Sequence, residues 1–533
     1  MGTPAGLRRA EGEGTASPPG SGKAPPPAIT GVDAADGVAP DDATDPADRA
    51  GVWDHGHRAL SLGLLISVGL VAFEAMGVVA IMPHIARRLD GLESYGWGLS
   101  ALMLASILGA VVAGTAGDRV GPRRPLAVAL GLLAAGCVVA GVAPTWWVFV
   151  VGRFVQGLGV GAIMGLAYLV IGRAYPDHLQ ARMVALTSSA WTLPALIGPV
   201  IAGTLADRLS WRSLFLLLPI PTMLAALLTL PALRALGGSG DSGGSTAPGA
   251  SGDAPGAGTS QAGAADTAGE AGNTKGRRLR DLAASLVLAL GMGLMIAAFE
   301  FSSLVPVLLL ASVGAVVAVL SYRALTPAGT TRARRGLPAG IAMRWLLAGA
   351  YFGADTFLPL GLTELRGLST VEAGLGLSAG ALTWVAGSAL QARWDDRHGA
   401  RLRPTHSAVG SAVLFLGIAI LAGTVLIDAV PPLVAVLGWA IGGFGMGIAY
   451  NAASAAVLAQ APTDQQGRTG AALQLSQTSA IAALSGLGGG AVALTHNHGA
   501  GMGTALGMTF GLTALLALAA VAVSSRIKPP TEG

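Results

Sequence analysis

Residues 97–142 read WGLSALMLASILGAVVAGTAGDRVGPRRPLAVALGLLAAGCVVAGV. Two apolar stretches, 97–117 and 125–143, hold no charged side chain, and the turn between them carries Asp118, Arg119, Arg123 and Arg124. A helix rising about 1.5 Å per residue needs about 20 apolar residues to cross a hydrocarbon layer about 30 Å thick. Each stretch approaches that length, and the short connector sends the chain straight back. The pattern predicts two antiparallel membrane-spanning helices joined by a polar turn.

The same pattern runs along most of the chain. Working outward, apolar stretches lie at 59–83, 97–117, 125–143, 147–172, 183–206 and 213–233. After a gap they resume at 282–302, 304–324, 344–364, 370–392, 406–427, 433–459, 469–494 and 503–524. That is about fourteen spans, the tightest connector falling around Ser302–Leu304. A single stretch could be a buried core helix, but so many with short loops between them could not. Composition agrees: of 533 residues 52% are hydrophobic and 12% charged, against about 25% charged in a soluble domain. The expected fold class is an all-α integral membrane protein embedded in a lipid bilayer.

Charge placement orients the bundle. Arg119, Arg123, Arg124, Arg173, Arg182, Arg277, Arg278, Arg280, Arg332, Arg334, Arg335, Arg393, Arg397, Arg401, Arg403 and Arg468 fall in alternate connectors. The opposite connectors hold only Arg87, Arg88, Arg208, Arg212 and Arg366. Basic loops stay in the cytoplasm, so both termini and the long gap between spans six and seven are expected there. The net charge of +4 does not imply nucleic acid, because these arginines set topology and no aromatic-basic cluster stands outside the spans. The single Cys137 offers neither a disulfide nor a cysteine metal site, and no early apolar stretch suggests a cleavable leader.

Composition divides the chain further. Residues 1–57 are expected to be a disordered tail, 58–234 a six-helix unit and 235–280 a flexible Gly/Ser/Ala-rich linker. Residues 281–325 would hold two inserted helices, 326–526 a second six-helix unit and 527–533 a short tail.

The two six-helix units echo each other. Asp118-Arg119-Val120-Gly121-Pro122-Arg123 after the second span matches Asp396-Arg397-His398-Gly399-Ala400-Arg401 after the tenth. Two spans later, Gly157-Leu158-Gly159-Val160-Gly161 matches Gly443-Phe444-Gly445-Met446-Gly447. Internal duplication of this kind is common in transporters.

On these residues the chain resembles the major facilitator superfamily, and within it the fourteen-span drug:proton antiporters, such as actinobacterial-type multidrug exporters. Gly114 to Arg124 is similar to the superfamily's loop between spans two and three, and Arg153-Phe-Val-Gln156-Gly157-Leu-Gly159 to its fourth-span motif. Gly198-Pro199 with Gly203 resembles the antiporter motif of the fifth span, and Glu74, nine residues before Pro83, matches the acidic position of the first. There are departures: Pro122 replaces a basic residue, Ala116 a Leu, Glu74 an Asp, and Ala185 and Pro194 stand where Gly is usual. The resemblance implies a role for Arg153 in proton transfer.

Charged groups within a span cost about 2.5–3.5 kcal/mol each on insertion scales and by default mark function. Glu74, Arg153 and Asp355 lie well inside their spans, whereas Glu300 and Glu364 lie near outer ends, where hydration accounts for them. Glu74 and Arg153 sit about 13 Å and about 9 Å from the outer ends of their helices at 1.5 Å per residue. They could therefore share a cavity. Burial favours a neutral Glu74, a neighbouring Arg153 favours a charged one, and a carboxyl so balanced could load and release a proton. A permanent pair that merely joins helices is the plainer alternative. Aligning the glycine runs places Trp439 opposite Arg153 and Gly442 opposite Gln156, which confines an Arg153 role to the first unit. Gln156 is a secondary cavity candidate one turn away. Asp355, near the midplane but only four residues before Pro359, is expected to be a second proton site, an attractor for cationic substrates, or a hydrated structural residue.

Asp118, Arg119, Gly121, Arg123, Asp396 and Arg397 are candidates for a conformational latch, or simply topology-setting loops. Gly157, Gly161 and Gly165 favour close helix packing, and Gly198-Pro199 a bend or tightening of the fifth span. No phosphate-cradling Gly-rich loop is present, so no ATP drive, cofactor or catalysis is expected, only a proton gradient. His496-Asn-His498 lacks a third ligand, and no metal site is expected. The expected function is proton-coupled efflux of amphipathic, cationic or neutral small molecules by alternating access, from a plasma-membrane protein active as a monomer. Export of one endogenous metabolite, or a non-transporting membrane sensor, are the alternatives.

Overall fold

The computed structural model describes residues 52–54, 56–238, 262–301, 303–462, 466–497 and 499–528. The expected tail at 1–57 falls largely outside them, as do residues 239–261 of the 235–280 linker, His498, and the side chains of Asp118, Arg277, Arg278, Glu300, Arg468 and His496.

The described chain is helical throughout. Its helices are α1 (Arg58–Arg88), α2 (Tyr95–Val120), α3 (Arg123–Gly141), α4 (Trp146–Ala174), α5 (Asp177–Ser189), α6 (Thr192–Arg208), α7 (Trp211–Leu217) and α8 (Pro219–Gly238). They continue as α9 (Ala262–Ala297), α10 (Leu304–Leu325), α11 (Leu337–Glu364), α12 (Thr370–His398), α13 (Arg403–Leu426), α14 (Leu433–Gln460), α15 (Gln466–Asn497) and α16 (Met502–Ser524). Among the described residues, 12 helices are long and apolar enough to cross a membrane, α7 and α8 counting together.

Two of the fourteen expected stretches fall outside that set. The stretch at 183–206 is divided into α5 and α6, of 13 and 17 residues, by a turn at Ala190–Trp191. The cause is Pro194, which has no N–H to give the carbonyl of Ala190. Gly198 and Pro199, expected to bend or tighten this span, lie within α6, which continues through them. The other is α11, whose 28 residues include Asp355, Arg344 and Pro359 and are buried for most of their length. The linker also differs from expectation, since residues 262–280 are the start of the 36-residue α9. That segment is rich in alanine with Glu, Lys and Arg, all good helix formers.

The duplication seen in sequence recurs in the packing. α4 lies against α2 and α3 just as α14 lies against α12 and α13, and α1 packs on α6 and α8 as α11 packs on α15 and α16. The glycines explain the closest approaches. A Cβ on Gly157 or Gly161 would strike the carbonyl oxygens of Leu102 and Ser106 on α2, and one on Gly443 or Gly447 those of Gly380 and Trp384 on α12. Gly159 and Gly445 face α3 and α13 in the same way. The matched turns agree too. Gly121 and Gly399, which end α2 and α12, have φ of 77° and 67°, where a side chain is strained.

The two sets meet along α2–α15 and α6–α12, with α1 touching α11. These contacts concentrate at the end opposite the arginine-rich turns, here called the far end. There Tyr95 Oη donates to Thr356 O at 3.3 Å, Ser100 Oγ donates to Ala482 O at 3.1 Å, and Arg87 pairs with Glu364 at 3.0 Å. Gly203 lies against Thr370, and Gly374 against Pro199. The α9–α10 pair packs on itself through Gly291 and Gly314 and lies along α2 and α15. Tyr322 of α10 is hydrogen-bonded to Ser476 of α15 at 2.6 Å.

Candidate functional site

Glu74 and Arg153, separate in sequence, are brought together as an ion pair between α1 and α4, each only 1% exposed. The pair fixes several helices at once. Arg153 Nε donates to Gly98 O of α2 at 3.0 Å, and its Nη1 donates to Gln156 Oε1 at 3.1 Å. Gln156 Nε2 in turn donates to Cys137 Sγ of α3 at 3.0 Å. One guanidinium therefore organises α1, α2, α3 and α4. The second carboxylate oxygen, Glu74 Oε2, is buried without a hydrogen-bond partner.

Asp355 does not join this network. It lies on α11, 6% exposed, beside the indole of Trp439. Trp439, which the glycine alignment sets opposite Arg153, is fully buried and stacks on Tyr351 of α11 with ring centroids 4.6 Å apart and planes 21° apart. The α11–α14 contact thus carries a neutral aromatic stack where α1–α4 carries a charged pair.

The Tyr351–Trp439 stack continues into an aromatic cluster. Tyr351 meets Phe352 and Trp384 at centroid distances of 5.3 and 5.0 Å, and Trp384 meets Tyr450 at 5.2 Å. Arg344 closes the row, its guanidinium carbon 3.5 Å from the centre of the Tyr450 ring. None of these residues stood out in the sequence. Arg344 sat at the edge of an apolar stretch, where an arginine reads as the end of a span, whereas the helix starts seven residues earlier at Leu337. The signal was the concentration of Trp and Tyr on three spans of one unit.

The latch residues are placed differently from expectation. Among the described residues, Asp396 and Arg397 are exposed and make no ion pair, and the engaged carboxylate is Asp395. Asp395 pairs with Arg403 at 2.8 Å and accepts from Gln391 Nε2 at 3.0 Å, while Arg403 Nη1 donates to Ala455 O of α14 at 3.1 Å. The reason is helical: neighbouring residues point about 100° apart at 3.6 residues per turn, and position 395 is the one facing α13 and α14. In the first set Arg119 is exposed, Arg123 Nε donates to Leu230 O at 3.2 Å, and Arg173 Nη1 donates to Gly117 O at 3.1 Å.

This geometry has relatives. A probable multidrug-efflux transporter of Mycobacterium tuberculosis is 30% identical over 211 residues, 39% of this chain and 44% of that protein. Multidrug resistance protein 3 of Bacillus subtilis is 25% identical over 154 residues, 29% of this chain and 30% of that protein. The chain thus matches less than half the length of these curated relatives. Among solved structures, a POT family transporter in complex with 5-aminolevulinic acid superposes with a TM-score of 0.61 at 16% identity, covering 91% of this chain and 100% of that one. A D-xylose-proton symporter gives 0.56 at 17% identity, covering 89% and 98%. At such identities the likeness is one of fold. The sequence profile described as Major Facilitator Superfamily matches residues 64–486, and the chain belongs to that superfamily of membrane transporters.

Proposed function

We propose that this protein is a proton-coupled exporter of amphipathic drugs or toxic compounds, and that the Glu74–Arg153 pair is its coupling element. The carrying observation is the contrast between the two sets of helices. A buried ion pair is seldom the most stable way to fill a site, and well-packed apolar residues of similar volume often do as well or better. At the position that Trp439 shares with Arg153, the α11–α14 contact is filled that way by Tyr351 and Trp439, its charged residues Arg344 and Asp355 lying elsewhere on α11. Holding helices together therefore does not require the charges at α1–α4. A carboxyl with one oxygen on a guanidinium and the other unpartnered has a free position for a proton. When Glu74 is neutralised, Arg153 remains held by Gly98 O and Gln156.

Alternating access supplies the rest of the cycle. The far end is closed by the contacts of Tyr95, Ser100 and Arg87, and the substrate cleft is proposed to open on the arginine-rich side between α4, where Tyr168 is 59% exposed, and the α11–α14 face. In the proposed topology the arginine-rich end and both termini are cytoplasmic in the plasma membrane, so this cleft faces the cytoplasm. α11 and the α5–α6 pair complete fourteen spans as two six-helix units plus the α9–α10 insertion. Asp355, buried on α11, is proposed as a second proton or cation site. Asp118 with Arg119, and Asp395 with Arg403, are proposed to latch the cytoplasmic turns. The multidrug-efflux name of the Mycobacterium relative supports the direction and the substrate class, and the multidrug-resistance name of the Bacillus relative the substrate class.

Purified protein in proteoliposomes tests this. For a one-proton exchange, each pH unit of imposed gradient should sustain about a tenfold concentration ratio of an amphipathic fluorescent dye. Dye movement that ignores the gradient contradicts proton coupling.

A further inference from the structure

Among the described residues, Arg344 is a buried cation with no carboxylate partner. Its side chain is 9% exposed, Nη1 donates to Ser454 Oγ at 2.6 Å, and the guanidinium lies over the Tyr450 ring. Nε is buried and has no hydrogen-bond partner. Tyr450 does not neutralise it, because its hydroxyl donates to Gln477 Oε1 at 2.6 Å and stays a neutral phenol. A serine hydroxyl and an aromatic face offset part of the desolvation of a guanidinium but leave its charge uncompensated. On α4, Tyr168 is exposed on the other side of the proposed cleft. An aromatic wall of Trp384 and Phe352 continues from Tyr450, both rings partly exposed.

We infer that Arg344, Ser454, Tyr450 and Trp384 form a binding subsite for the acidic group of an aromatic anion, the ring lying on Trp384 and Tyr450 and the carboxylate or sulfonate meeting Arg344. The missing counter-ion then arrives with the ligand. With Nη1 on Ser454 and Nε enclosed, Nη2 is the nitrogen left to donate a charge-assisted hydrogen bond to a carboxylate. The subsite lies on α11 eleven residues from Asp355, about 16 Å at 1.5 Å per residue. It thus extends the accepted compounds to acids without displacing the acidic position. The inference rests on the reading of the cleft as a substrate cavity.

The test uses the full-length protein in lipid nanodiscs and scintillation binding of two labelled probes, 2-naphthoate and its neutral isostere 2-naphthamide. The wild type should bind the acid about tenfold more tightly than the amide, a preference worth about 1.4 kcal/mol. Arg344→Gln should erase that preference while leaving amide affinity within about twofold, and Arg344→Lys should retain part of it, having the charge without the planar guanidinium. Equal binding of the two probes by the wild type, or an unchanged preference in Arg344→Gln, overturns the proposal. Should Arg344→Gln fail to fold, a Ser454→Ala variant with undiminished preference for the acid, together with equal affinities in wild type and Arg344→Lys, overturns it as well. Acid preference without gradient-driven transport would count against proton coupling and leave this subsite standing. Gradient-driven dye transport without acid preference would do the reverse.

Discussion

Replacing Glu74 by Gln should abolish gradient-driven transport while leaving the protein inserted in the membrane. Under a gradient of two pH units the wild type should hold about a hundredfold dye ratio for one-proton exchange, and Glu74→Gln a ratio near one. The same change should lower thermal stability, because breaking one side of a buried ion pair costs about 3–5 kcal/mol. Those two losses must be told apart. In the double variant Glu74→Gln/Arg153→Gln no buried charge is left unpaired at the α1–α4 contact, so stability should largely recover. Transport should not. If transport returned with stability, the pair would be a structural clasp, and the proton pathway would have to run elsewhere.

The second large effect concerns glycine. Gly161→Ala should destabilise the fold by about 3 kcal/mol, the range of overpacking in a tight core. A Cβ there meets the Ser106 carbonyl, a backbone atom of α2 that cannot turn aside. Gly131→Ala, on the exposed side of α3 with open space around it, should instead stabilise the protein by about 0.5–1 kcal/mol through helix propensity. The two substitutions are chemically identical and opposite in sign. Melting followed by size-exclusion chromatography in detergent checks both. Equal shifts would mean that α2 and α4 are not packed backbone to backbone.

Much of this was legible because membrane insertion imposes simple rules. Span length follows bilayer thickness, and close packing needs glycines at helical spacing. The Gly157-x-Gly159-x-Gly161 and Gly443-x-Gly445-x-Gly447 runs declared the duplication, and the structure adds the two helices that each one touches. The meeting of Glu74 with Arg153 was legible as two costly charges at comparable depth. What escaped the sequence depends on azimuth rather than on composition. Asp395 and Asp396 are chemically alike, and only the rotation of α12 decides which faces Arg403. Arg344 read as a boundary because α11 begins with Leu337-Pro338-Ala339-Gly340, which is too weakly apolar to look like membrane. The aromatic row from Tyr351 to Tyr450 is drawn from three helices, and no single stretch reveals it. Pro194 was visible as a departure, but the lost hydrogen bond to Ala190 that parts α5 from α6 needed the helix around it.

Alternating access is the central claim, and spin-label distances at the two ends test it most directly. One pair would sit at Arg119 and Arg397, exposed at the arginine-rich ends of α2 and α12. The other would sit at Leu209 and Leu433, 73% and 68% exposed at the far end. On acidification in the presence of an amphipathic substrate, the first distance should shorten as the second lengthens. Two distances that stay fixed, or that move in the same direction, would contradict the account.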